Sequence, residues 1–373
     1  MRFAAALGAA AVLTVFAACF SADDDPAHGT TTVAFTGDTY LGESFDYFAD
    51  VLKEKGYDDP FAKVDPFLAS ADLVITNFEA AITRRGDSPY DGIKPYVLRA
   101  DPQRMPNALF RHGLRVVSLA NNHTMDFGAP GLADTRRFLS DHGITYFGAG
   151  ENRAEAGAPY VASLKSGDGE RSLIVFSAFS RSDEYESYGY FAGDQTPGVN
   201  PLDTARLTAD IRAYREADAN AFIVVFPHWG GNYRWRSDRQ LDQARVFMAA
   251  GADLVVGQGA HNLQEIDFDG RRPIVHNLGN FVFLPSWDYE AEGVPPYSLI
   301  AMLHFAGGVT LRLYPIYCDS KFDGNQPRPV TKTEFNEIVE TLRDRTNNRT
   351  AYDDIVRTGR DALGYFLRLP ISD

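Results

Sequence analysis

A chain of 373 residues with 45% hydrophobic and 23% charged residues has globular composition and can bury a substantial core, which excludes disorder as its main state. Its 36 basic and 50 acidic residues give a formal charge of −14, which opposes binding to nucleic acid or anionic lipid through a general field. An anionic substrate would need a local basic patch or metal ions.

In chain order, residues 1 to 18 read as a signal peptide: Met1-Arg2 is a small positive start, Ala4 to Ala18 is apolar, and small residues precede Cys19. Phe16-Ala17-Ala18-Cys19 resembles a bacterial lipobox, which implies an acylated Cys19 and a membrane anchor, with simple secretion as the alternative. Residues 19 to 30 are a polar, acidic linker. Cys318 is the only other cysteine, so a lipidated Cys19 leaves no structural disulfide.

One α/β domain is expected over residues 31 to 318. Thr31 to Phe35 is a strand that ends at Gly37-Asp38, and a helix spans about Ser44 to Lys55. Ala71 to Thr76 is a buried strand ending at Asn77-Phe78-Glu79. After a helix over Pro102 to His112, strand Leu114 to Leu119 ends at Asn121-Asn122-His123. A helix near Gly131 to His142, short strands at Ile144 to Phe147 and Leu173 to Ser177, and a helix near Asp203 to Ala217 continue the alternation. Strand Ala221 to Phe226 stops at Pro227-His228, and after a helix from Asp238 to Ala250, strand Asp253 to Val256 stops before Gly259 and His261. Such sheets place ligands outside the carboxyl ends of their strands. From Glu265 onward, short β segments separated by turns suggest an antiparallel second sheet packed on the first. Thr333 to Asn347 is charged and helical, with Thr333 as a cap, so residues 319 to 373 are expected to form a C-terminal helical extension.

Five strand ends thus carry hard or borderline donors: Asp38, Glu79, Asn122 with His123, His228 and His261. Each residue alone also fits a bland role, such as a turn-forming Asp or a hydrogen-bonded strand-end His. Together, mixed carboxylate, amide and imidazole ligands point to one or two divalent ions of Mn, Fe or Zn. Asp126, three residues after His123, is placed to orient its ring. Arg84, Arg99, Arg234 and Arg236, with Arg85 and Lys94, follow the motifs and would suit a phosphate or polycarboxylate, or are solvated loop charge. The aromatic stretch Tyr185 to Phe191 is a lid or a packed loop.

Phe35-Thr36-Gly37-Asp38, Asn77-Phe78-Glu79, Leu119-Ala120-Asn121-Asn122-His123, His228-Trp229-Gly230, the Gly257 to Gln264 loop and Leu278-Gly279-Asn280-Phe281 resemble, in order, the motifs of the CapA family. Those are poly-γ-glutamate capsule synthesis proteins related to calcineurin-like metallophosphoesterases. The resemblance implies a four-layer α/β/β/α sandwich in which Asp38 and His261 hold one metal, Asn122 and His228 another, and Glu79 bridges them. It implies His123 as the general acid for the leaving group, an anionic polymer or phosphoester substrate, and membrane components of capsule synthesis as partners. A non-catalytic polymer-binding module and a metal-dependent polyglutamate amidase are the alternatives. Two departures stand out: Tyr40 occupies the place of a phosphoesterase histidine, and Gly259 that of another. Gln258, Gln264, His276 and Asn280 are candidates to compensate.

Overall fold

The computed structural model describes residues 31–371 except 168, 287, 288 and 307. The signal peptide, the Cys19 lipid site and the linker lie outside the described residues. Among the described residues the two main sheets are built from β1 (Thr31–Tyr40), β2 (Leu73–Phe78), β3 (Val116–Ser118), β4 (Thr145–Phe147), β5 (Tyr160–Ser166), β6 (Gly169–Phe176), β7 (Phe222–Val225), β8 (Leu254–Val256), β9 (Ile266–Asp269), β10 (Arg272–Val275), β11 (Asn280–Phe283), β12 (Tyr297–Phe305), β13 (Val309–Tyr317), β14 (Arg357–Arg360) and β15 (Tyr365–Ile371), with the two-residue strand Arg328–Pro329 added beside β13. The first sheet has the order β14-β15-β13-β12-β1-β2-β3-β4, with β11 pairing in parallel with the end of β1. The second has the order β9-β10-β8-β7-β6-β5.

In each sheet the central strands run parallel and are apolar on both faces, as strands covered on both sides must be. Val33 and Phe35 of β1 share a core with Phe222 and Val224 of β7 and with Leu254 and Val256 of β8, so one face of each sheet meets the other. The alternate residues turn outward: Ala34, Val74 and Val117 pack with Leu52, Leu109 and Leu139 from helices, and Ile223, Val225 and Val255 pack with Ile211, Leu241 and Phe247 from others. The helix Asp238–Ala250 shows how local chemistry sets these layers. Ser237 and Gln240 close a capping box at its start, and Gly251, at φ 116°, ends it before β8.

Three expectations need correction. The strands after Glu265 do not form one new sheet, because β9 and β10 extend the second sheet while β11 to β13 join the first beside β1. Helix Lys332–Arg345 is capped by Thr331, not Thr333, in a capping box with Glu334. The C-terminal segment is not wholly helical: helices Lys332–Arg345 and Arg349–Ile355 lead into the hairpin β14-β15, which pairs with β13. Leu367, Leu369 and Ile371 alternate along β15 into the core between the sheets, where they meet Leu311 and Leu313, and this burial draws the tail into the sheet.

The parallel strands gather their carboxyl ends at one place. Asp38 lies near the end of β1, two residues before its last, and the segments after β2, β3, β7 and β8 carry Glu79, Asn122 with His123, His228 and His261. Gly37 makes this junction possible, since a Cβ there would lie 1.7 Å from the Gly279 carbonyl oxygen.

Candidate metal centre

Asp38 and Glu79 are fully buried, and His228 and His261 nearly so. One ligand atom each from Asp38, Glu79 and His261 lies within 4.8 Å of the others. The Asn77 amide sits between the carboxylates, donating to Asp38 Oδ1 (2.9 Å) and Glu79 Oε2 (3.2 Å), and is itself held by the Asn121 amide at 3.0 Å. The Gly259 amide donates to Asp38 Oδ2 at 3.2 Å. Glu79 Oε1 is buried and accepts no hydrogen bond. That oxygen faces His261 Nε2 at 3.9 Å and His228 Nε2 at 4.0 Å. These gaps are too long for hydrogen bonds, and they leave the oxygen and both nitrogens without a partner between them, where small side-chain shifts would bring all three to an ion.

The far side of each ring fixes which nitrogen is free. Asn280 donates its amide to the Tyr289 hydroxyl (2.9 Å), which turns its Oδ1 toward His261 Nδ1 at 2.9 Å. His261 Nδ1 also lies 3.2 Å from Asp38 Oδ2, so its proton sits between two acceptors and Nε2 is the nitrogen turned to Glu79. Gln258 Oε1 contacts His228 Nδ1 and gives that ring the same orientation. Gly259, at φ 101°, permits this arrangement, because a Cβ there would lie 2.7 Å from the His228 ring. The glycine leaves no side chain to act as a ligand, and the imidazole of His228 occupies the adjacent space.

The protons in the cluster are arranged accordingly. Burial, reinforced by the Asp38 charge, pushes Glu79 well above the usual carboxylate range. Burial works against ionising Asp38 too, but the hydrogen bond and charge of His261 outweigh it and hold its carboxyl below the usual range. Burial also opposes the charged form of His261, yet Glu79 and Asp38 prevail and raise it to about 9. Burial, only partly offset by Asp38, lowers His228 to about 4. Asp38 and His261 are thus a charged pair beside a neutral His228 and a carboxyl that resists ionisation. A divalent cation would replace protons here.

Beside this cluster, His123 Nδ1 lies 2.7 Å from Asp126 Oδ2. Asp126 is fully buried and also accepts from the Leu98 amide at 2.7 Å and the Tyr190 hydroxyl at 2.8 Å. Burial lowers the His123 pKa and outweighs the attraction of Asp126, while His123 and Lys94 overcome the burial of Asp126 and keep it ionised. Asn122 occupies the preceding position, half-exposed, with its backbone carbonyl bound by Lys94.

Other residues read from the sequence take supporting or separate places. Tyr40 is buried against Phe283 and accepts a hydrogen bond from the Ser44 amide at 2.6 Å, so it is a packing residue. Asn280 and Gln258 hold the ring histidines, whereas Gln264 bonds Gln240 and His276 pairs with Asp267. The four arginines have their own partners: Arg84 lies over Phe138, Arg99 donates to the Arg85 carbonyl, Arg234 pairs with Glu292, and Arg236 with buried Asp267. Lys94 is not solvated loop charge but a buried partner of Asp126. The stretch from Tyr185 is packed, with Tyr90, Tyr185, Tyr188 and Tyr190 in mutual ring contact. Asn77, Asn121, Lys94 and Tyr190 complete the site. Of these, only Asn77 and Asn121 stood inside a motif.

The family described as bacterial capsule synthesis protein PGA_cap matches residues 32–284, a span that holds every donor above. The chain belongs to this family. Among relatives of this PGA_cap member, the capsule biosynthesis protein CapA of Bacillus anthracis is 26% identical over 318 residues, covering 83% of this chain and 72% of that one. The PGA biosynthesis protein CapA of Bacillus subtilis is 30% identical over 258 residues, covering 69% and 64%. A probable polyglutamine synthesis accessory protein of Mycobacterium tuberculosis is 31% identical over 230 residues, covering 60% and 58%. Two solved structures are similar at 11% identity: a phosphatase from Mycoplasma pneumoniae (TM-score 0.38, 80% of this chain and 90% of that one) and a calcineurin-like phosphoesterase from Bacillus subtilis (TM-score 0.37, 81% and 88%). At such scores they add no weight to the PGA_cap match.

Proposed function

We propose that this chain is a metal-dependent hydrolase of the cell envelope that acts in the production of poly-γ-glutamate or a related anionic capsule polymer. The observation that carries the hydrolytic reading is Glu79 Oε1, a buried carboxylate oxygen with no hydrogen bond, faced by the Nε2 atoms of two histidines about 4 Å away. The polymer reading rests on family membership and on the names of the relatives. Asp38, Glu79, His228 and His261 would hold a divalent ion of Mn, Fe or Zn, with Asn122 beside them. Bound there, such an ion supplies a Lewis acid and a nucleophile at neutral pH.

The remaining steps belong to the side chains. Asp126 accepts the Nδ1 proton of His123, which fixes the tautomer and leaves Nε2 to carry a proton to the leaving group. The lowered pKa of His123 makes its cationic form a stronger acid and a less populated one. Asn77 and Asn121 keep the carboxylates in register. Export, with lipid on Cys19, rests on residues 1 to 19 and predicts that Cys19→Ala moves the protein from the membrane to the soluble envelope fraction.

The test uses the full chain and its Glu79→Ala variant, with bound Mn, Fe and Zn measured and a phosphodiester, a phosphomonoester and poly-γ-glutamate as substrates. Metal and turnover in the parent, both lost in the variant, support the reading. No metal and no turnover overturn it. Gly259 and Tyr40 favour one second reading, a polymer-binding module with fewer ligands, which predicts polymer binding that survives Glu79→Ala.

A further inference from the structure

The loop between β2 and the helix Arg104–Arg111 is inverted in polarity. Ile93 and Tyr96 are 59% and 57% exposed, while the charged residue between them, Lys94, is buried. Burying an ammonium costs several kcal/mol unless every proton finds a partner, on the order of the cost for any ion taken from water. Lys94 meets that condition. Its Nζ donates to the Asn122 carbonyl (2.7 Å), Asp126 Oδ1 (2.5 Å) and the Tyr190 hydroxyl (2.9 Å), and Tyr190 in turn donates to the same Asp126 oxygen at 2.8 Å. An ammonium has three donors, and all three are used. The other Asp126 oxygen serves His123 Nδ1 and the Leu98 amide, so the loop carrying Lys94 grips the carboxylate from both sides.

We propose that Lys94, with Tyr190, is the positioning residue of the leaving-group acid: it clamps Asp126 and the Asn122 carbonyl and so holds His123 where its proton transfer requires. The inference rests on the hydrolytic reading above. Lys94 hydrogen-bonds neither Glu79 nor the ring histidines; it reaches the ion cluster only through the Asn122 backbone and its charge, so bound metal is measured beside activity. Packing alone would not require a charge at this place. An apolar side chain of similar length would fill the volume without a buried ammonium to satisfy.

The test compares the full chain with Lys94→Met and Tyr190→Phe on two phosphodiesters, one with an activated aryl leaving group and one with an alkyl leaving group, alongside bound metal. A poor leaving group needs the proton; an activated one scarcely does. Lys94→Met is expected to lower kcat on the alkyl ester by about 10- to 100-fold, as loss of an orienting partner does, and on the aryl ester far less, with metal content kept. Tyr190→Phe should show the same selectivity at smaller size. Equal losses on both esters, or loss of metal with activity, overturn the inference and leave the hydrolytic reading standing. If Lys94→Met does not fold, Tyr190→Phe decides alone, and a non-selective or absent effect overturns the inference. A parent chain inert on both esters and free of metal overturns the hydrolytic reading, and the inference with it.

Discussion

Two groups of buried charges lie side by side at the strand ends, and they are built differently. Around Asp126, each charge has its complement: two carboxylate oxygens accept from Lys94, Tyr190, His123 and a backbone amide. Around Glu79, the Asn77 amide serves both carboxyl groups, Asp38 gains the Gly259 amide and His261, and Glu79 Oε1 has no donor. The difference teaches which region is finished by the protein alone. The Asp126 network is a closed hydrogen-bond system that fixes a ring. The Glu79 cluster balances its charge with protons, a state that a cation can replace.

The same change, carboxyl to amide, should therefore act in opposite directions at the two places. Asp126→Asn strands the Lys94 ammonium and is expected to cost about 3–5 kcal/mol of stability in urea unfolding, as breaking a buried ion pair does. An unchanged midpoint would mean that the network is not closed as described. Gly259→Ala comes next, since its Cβ meets the His228 ring and its φ of 101° disfavours a side chain; a loss of about 1–3 kcal/mol is expected, with weaker metal binding. In metal-free protein, Glu79→Gln removes a carboxyl that burial and Asp38 hold against ionisation. A gain of about 1 kcal/mol is expected at neutral pH, and a loss there would erase the contrast with Asp126.

A graded effect is the pH dependence of the metal-free chain, whose slope for one group has a ceiling of about 1.4 kcal/mol per pH unit. The pKa of His261 rises from 6.5 to about 9 on folding. The stability it contributes is fully present below 6.5 and is lost as pH climbs through about 9. Denaturation midpoints between pH 6 and 9.5 should fall, and His261→Gln should flatten that slope. A slope unaffected by the substitution would place the titration elsewhere.

Much of this comparison was legible in the sequence, for a physical reason. Parallel strands covered on both faces are apolar along their covered length, so β7, β8 and the first half of β2 stand out, and the polar residues that follow mark the cleft. The pattern could not say which sheet a strand joins, because the alternation in β9 to β13 reports a face and not a neighbour. Nor could it show the tail as β14 and β15, where Arg357, Thr358 and Arg360 are exposed and only the partner strand makes the segment regular. Lys94 was hidden for a related reason: its loop looks solvated, and its partners at Asn122 and Tyr190 lie 28 and 96 residues away. For the arginines, charge near a motif does not report its partner, and Arg236 found buried Asp267. Gly259 read as a missing ligand, whereas the structure makes it the place where His228 and the chain pass closest.

The central claim is that Glu79 Oε1 and the facing imidazoles form a cation site. Elemental analysis of the full chain after equilibration with Mn2+ and removal of free ion tests this most directly, with Glu79→Ala and Asp126→Asn measured alongside. The account predicts bound metal in the parent chain and in any Asp126→Asn protein that folds, and none in Glu79→Ala. A parent chain that retains no more metal than Glu79→Ala would contradict it.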